Sequence, residues 1–401
     1  ADVNAKNNGG TTPLLYAAYF GNLEVVKYLT EKGTDRNAKD QNGDTSLFNA
    51  ARSGNVEVVK YLVEKGANVN AKNINGDTPL FTVSNSKVAQ YFVEKGADVN
   101  AKNRAGQTPL FDVAYCGNLE VAKYLAENEA DVNAKDNDGG TPLFSAADGD
   151  NGNSEVIKYL VEKGADVNTK NGNGAIPLFS AARDGNLEVV KYLVEKGANV
   201  NTKNIDNETS LFNAANNNHF AVVKYLVESG TDVNTKNVND ETSLFNASFS
   251  GNLEIVQYLV GKGLDVNAKN ICENTPLFRA SSLEVAQYFV EKGLDVDAKN
   301  INGRTLLFNA AYWRYFAVVK YLVEKGADVN VKSNSNETPL FNAVYGSNFD
   351  GNLKVVKYLV EQGADVNAKD NEGKTPLDIT RVEAVAKTLR NAGGKSGKDI
   401  Q

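Results

Sequence analysis

The tripeptide Thr-Pro-Leu, or a close variant of it, begins twelve times along the chain: at Thr12, Thr45, Thr78, Thr108, Thr141, Ile176, Thr209, Thr242, Thr275, Thr305, Thr338 and Thr375. The usual interval is 33 residues. All eight prolines fall inside this tripeptide, and Ser46, Ser210, Ser243 and Leu306 stand in their place in the other four copies. A proline confined to one phase means that one backbone conformation recurs. A fixed period of this length makes each unit a small supersecondary element. Such a unit cannot bury its apolar side alone and needs its neighbours to do so.

One unit, Asn173 to Lys203, shows the local physics. Pro177 suits the first turn of a helix, where its missing N–H removes nothing. In most copies the preceding threonine is placed to cap that helix by bonding a free N–H. Leu178, Phe179, Ala181 and Ala182 give the short helix an apolar side, and the paired alanines permit close approach. Gly185 breaks it. A second helix follows, with Leu187, Val190, Leu193 and Val194 forming one apolar stripe. Gly197 stands where a left-handed helix end is wanted.

This turn-helix-helix unit, with Thr-Pro-Leu, Ala-Ala, Gly-Asn-Leu-Glu-Val-Val and Gly-Ala-Asp-Val-Asn-Ala, resembles the ankyrin repeat over about residues 1–394. The resemblance implies an all-α solenoid of stacked helix pairs with β-turn or hairpin tips, elongated and curved. It also implies a non-catalytic scaffold that binds another protein through turn tips and inner helices on a concave face. The chain departs from the family at the residue after Thr-Pro-Leu. The usual histidine is phenylalanine in ten copies, from Phe48 to Phe341, which puts the bonding between repeats in question but not the fold.

A larger period is superimposed. Three residues are missing at Val83 to Ser86 and again at Ala280 to Ser282, and extra residues lie near Asp148 to Asn153 and Gly346 to Asp350. Thr78 and Thr275 are 197 residues apart, as are Thr141 and Thr338. We expect a duplicated six-repeat block, about 1–197 and 198–394, within one array. Segmental duplication explains it without function; two similar docking surfaces would explain it with one. At the end, Asp378 and Thr388 replace apolar and tyrosine positions, so about 370–394 reads as a polar cap, followed by a flexible tail, 395–401. The sequence has no methionine and opens inside a unit, which suggests a piece of a longer protein. An alternative reading makes the array the targeting arm of a larger enzyme or secreted effector.

The rest of the sequence offers little chemistry. With 41% hydrophobic and 23% charged residues the chain is globular, and no apolar run is long enough to span a membrane. Two distant cysteines, Cys116 and Cys272, form no disulfide framework and fit a reducing, cytoplasmic setting, which for a secreted effector would be a host's. The single histidine, His219, occupies a helix-start position filled by Asn186 and Asn252 elsewhere. Catalytic residues, a metal site, a cofactor and a small-molecule substrate are therefore not expected. Twelve lysines from Lys6 to Lys369 hold one phase and could follow a phosphate backbone. The net charge of −7 and the nearby acids make nucleic acid the weaker reading.

Partner choice must come from positions that vary between copies. Just before the central glycine these are Tyr19, Phe20, Arg52, Tyr115, Arg183, Phe249, Tyr312, Trp313 and Tyr345, types common at binding hot spots. The turn tips add Ile205, Val238, Ile271 and Ile301 in one phase. They either face a partner or pack on neighbouring turns. These thirteen residues are the expected contact surface, centred on the repeats from Thr209 to Thr338.

Overall fold

The computed structural model describes residues 2–149, 154–345 and 352–400. Among them are 22 α-helices, three short 3-10 helices and no strand. The chain divides into two compact units, Ala1–Ile205 and Asp206–Gln401. Most of the two expected insertions, 150–153 and 346–350, lies outside the described residues.

In each unit a short inner helix alternates with a nine-residue outer one. The first unit opens with the inner helix Pro13–Tyr19 and the outer helix Leu23–Glu31. The second unit contains, for example, Leu306–Tyr312 and Phe316–Glu324. Proline occupies the first helical turn wherever it occurs in the described caps. Leu47, Phe48, Ala50 and Ala51 from an inner helix and Val58, Val59 and Leu62 from its outer partner are fully buried. Each such leucine or phenylalanine contributes about 1.5–3 kcal/mol by leaving water. The alanines let successive inner helices lie close. At both shortened repeats the inner helix shrinks to a four-residue 3-10 turn, Pro79–Thr82 and Pro276–Arg279.

The expected threonine caps form only at the margins. Thr12 accepts a bond from Leu15 N–H at 3.4 Å, and Thr375 belongs to a capping box with Asp378. At Thr78, Thr108, Thr141, Thr209, Thr242, Thr275 and Thr305 the backbone is extended, as a cap requires, but the side chain makes no capping bond. These hydroxyls are buried without a partner. Only at Thr375 does the residue three positions on add a bond of its own: Asp378 accepts from the threonine N–H, which phenylalanine cannot do.

Other polar groups close the seams. Asn55, capping the outer helix Val56–Glu64, accepts from Val58 N–H at 3.0 Å and donates to Gly21 O in the preceding repeat at 3.0 Å. In the turns, Asn133 accepts from Asp166 N–H and donates to Gly164 O, both at 2.9 Å. At the carboxyl end, residues 395–400 fold back on the last repeat. Gly397 N–H donates to Asp378 at 2.7 Å and Lys369 Nζ to Ile400 O at 2.7 Å. The free tail expected from sequence is thus anchored by the acidic residue that replaces phenylalanine.

Candidate interaction surface

The inner helices end in side chains the core does not use. Tyr19 and Phe20 meet edge to face at 5.3 Å, and Tyr312 and Trp313 do so at 5.0 Å. All four are exposed, as are Tyr115, Phe249 and Tyr345; Trp313 is 58% and Phe20 75% accessible. Edge-to-face packing holds each pair of rings in a defined orientation while leaving its faces open. Near Tyr312 and Tyr345 a hollow of about 340 Å³ is lined also by Arg304, Glu337 and Phe341.

The arginines expected beside these aromatics are committed elsewhere. Arg52 pairs with Asp44 at 3.1 Å, whose carboxylate is almost wholly buried. Arg183 pairs with Asp184 at 2.8 Å and Asp148 at 3.3 Å. Both side chains are half-exposed, so they border the surface while stabilising its turns.

At the tips, backbone and side chain have separate tasks. Val238 N–H donates to Asp206 O at 2.9 Å, Ile271 N–H to Asn239 O and Ile301 N–H to Cys272 O, both at 3.0 Å. Their side chains stay exposed, as do those of Ile205 and Ile74. Ile74 holds the same phase, four residues before its Thr-Pro-Leu, but stands apart from the consecutive run that drew attention to the others.

The repeating charged and aromatic positions are structural. Lys39 Nζ donates to Lys72 O at 2.7 Å, Lys72 Nζ to Lys102 O at 3.2 Å and Lys102 Nζ to Lys135 O at 3.1 Å. The row thus bonds turn to turn. Tyrosines of the outer helices do likewise: Tyr192 donates to Lys158 O at 3.2 Å. His219 stands at the N-cap position of the helix Phe220–Glu228 without a side-chain capping bond. Among the described residues no group of three His, Cys, Asp or Glu side chains could hold a metal ion, and no helix is long and apolar enough to cross a membrane.

Helix pairs joined by hydrogen-bonded tips are matched by known sequences. The family described as ankyrin repeats (3 copies) matches residues 1–73, 80–171, 143–237, 178–270 and 244–333, and a single ankyrin repeat matches 335–371. The chain belongs to the ankyrin repeat family. The fold is an all-helical ankyrin solenoid, and ankyrin repeats generally mediate protein–protein interaction. A solved structure of the human ASB11 ankyrin repeat domain is 30% identical, with a TM-score of 0.47, covering 55% of this chain and 99% of that one. No curated protein matches the chain. Within these ankyrin repeats the phenylalanines at the family's histidine position are almost fully buried, and the helix pairs form as in the other copies.

Proposed function

We propose that this chain is a non-catalytic scaffold that holds a partner protein through its inner-helix ends and turn tips. The principal contact lies in the second unit, on Phe249, Tyr312, Trp313, Tyr345, Val238, Ile271 and Ile301. The observation that carries the reading is the exposed pair Tyr312 and Trp313, rings locked at 5.0 Å beside a hollow with Tyr345 on its wall. Nothing in the core requires aromatics there, since Asn216 and Asn217 take the same two places in the repeat that begins at Thr209. Rigid aromatics set in a partly enclosed surface are what a hot spot needs. Ile205, Ile74, Tyr19, Phe20 and Tyr115 extend the first unit's own surface. Two unpaired cysteines favour a reducing compartment such as cytoplasm.

The test compares the intact chain with the double variant Tyr312→Ala, Trp313→Ala. A partner captured by the intact chain, then purified and titrated, should bind the variant more weakly by over about 2 kcal/mol. The variant should melt at an unchanged temperature, since both side chains are exposed. Equal affinity for the two proteins would remove this assignment.

A further inference from the structure

The shortened repeat of the first unit opens a notch. Because its inner helix stops after four residues, Pro79–Thr82, a space of about 430 Å³ remains on this face, bordered by residues of the inner helices Ser46–Ser53 and Pro109–Tyr115. Phe81, Val83 and Val113 give it apolar walls, and Arg52, Asp112 and Cys116 bring polar groups to it.

Asp112 is unusual at this register. Asn309, 197 residues further on, donates Nδ2 to Phe278 O at 3.0 Å, and Asn49 and Asn342 donate to Leu15 O and Phe308 O, each at 3.2 Å. Thr82 also reaches back, to Phe48 O. These four side chains tie one inner helix to the one before it. An ionised aspartate has only lone pairs to offer. Asp112 is half-buried, and among the described residues no lysine or arginine comes within 4.0 Å of it. Burial first, and the charge of Asp77 second, push its carboxyl up to about 6.

Arg52 and Asp77 beside it have partners of their own. On Ser46–Ser53, Arg52 is held by Asp44. On the neighbouring tips, Asp77 accepts from Asn103 at 2.9 Å, and Arg104 lines an adjoining hollow of about 350 Å³ that Asp112 also borders. On its own helix, the Cys116 thiol is pushed up by burial and by Asp112 itself. The Pro79–Thr82 turn carries no ionisable side chain. What Asp112 lacks is a cation with N–H groups to give, because the Arg52 that also lines the notch is paired with Asp44.

We propose that this notch seats one lysine or arginine side chain of a partner protein's extended segment, its charge paired with Asp112 and its methylene stem along Phe81 and Val113. The proposal rests on the interaction reading above and names the chemistry of one contact. A bound cation supplies the missing donors and offsets the repulsion from Asp77. The apolar walls suit a long aliphatic stem that ends in charge.

The test uses the intact chain, isotope-labelled for NMR and titrated near neutral pH with blocked glycine–serine peptides carrying arginine, citrulline or glutamate at the centre. The arginine peptide should shift the amides of Thr82, Val113 and Cys116 and bind about tenfold or more tightly than the citrulline peptide. Asp112→Asn should erase that preference while the protein stays folded by circular dichroism, and Asp112→Glu should retain it. Four results would overturn the proposal: equal binding of arginine and citrulline peptides, a preference that survives in Asp112→Asn, tighter binding of the glutamate peptide, which would make Arg52 the reader, or no shift at these amides. If the notch fails but Tyr312→Ala, Trp313→Ala still loses a partner, the interaction reading stands without it.

Discussion

The hydroxyl of Thr375 lies 3.0 Å from the carboxylate of Asp378, which also accepts from the Thr375 N–H at 2.8 Å. This is the one place where the residue after Thr-Pro-Leu is acidic, and it differs from ten phenylalanine copies in both bonding and charge. Burial acts to raise the Asp378 carboxyl, but bonds from Thr375, Ser396 and Gly397 outweigh it and hold the group at about 2. Its ordinary value is 3.8. The folded value is depressed, so the stabilisation is whole above the ordinary value and is lost as pH falls through about 2. Protection from hydrogen exchange at Ala386 and Leu389, taken relative to the intrinsic rate at each pH, should therefore fall between about pH 4 and pH 2. Asp378→Ala should weaken the last repeat by about 1–2 kcal/mol at neutral pH. Unaltered exchange in that variant would show that the box holds nothing.

The orphaned hydroxyls predict the opposite sign. Thr108 and Thr305 are buried, extended and without a side-chain partner. Replacing either by valine keeps the shape and removes an unpaired polar group, so each change should stabilise by about 0.5–1 kcal/mol. The two sites lie in different units and should add in the double variant. Denaturant melts would decide. A loss of stability would mean that the hydroxyls have partners after all.

Asp112→Asn should stabilise the fold while it removes the proposed cation site. Its folded carboxyl stands near 6 against an ordinary 3.8, so the native state keeps a proton that the unfolded chain has released. The charged form therefore destabilises fully above about 6 and not at all below the ordinary value. Asparagine also regains the donor that Asn309 uses. The expected gain at neutral pH is about 1–3 kcal/mol, shrinking as pH falls and absent below about 4. A gain that does not vary with pH would separate it from the titration of this group.

Arg52→Met should act through stability and not through a partner. It would leave Asp44, almost wholly buried, with Asn73 at 3.0 Å but no cation. Because Arg52 is half-exposed, solvent already screens the pair, and the expected cost is about 1–2 kcal/mol at neutral pH. A thermal melt unchanged by the substitution would return Arg52 to the list of free contact residues.

The sequence made legible whatever depends on spacing within one unit. Proline at the helix start and the left-handed Gly197 follow from local rules and stand where those rules put them, while the expected stripe is half right: Val190 and Leu193 are buried together with Val189, and Leu187 and Val194 only partly. The two deletions were visible too, but not that one of them opens a notch, because its walls come from residues 52 to 118. The commitment of Arg52 to Asp44 was equally hidden: arginine reads as a hot-spot residue until its neighbour is placed. The missing capping boxes had a signal available, since phenylalanine three residues after a cap cannot complete one. Ile74 shares the phase of the other apolar tips but stands between Gln41 and Arg104, so no row marks it in the sequence.

The amide of Asn133 gives one bond and takes another across a single junction, and Asn168, Asn330 and Asn367 repeat the device at theirs. Where a joint has its own clasp, damage to it does not propagate by loss of a shared element. Outward-facing side chains can then be exchanged one repeat at a time, with the neighbouring joints untouched. A chain assembled this way can reach a new binding preference by single substitutions, each tolerated where it arises.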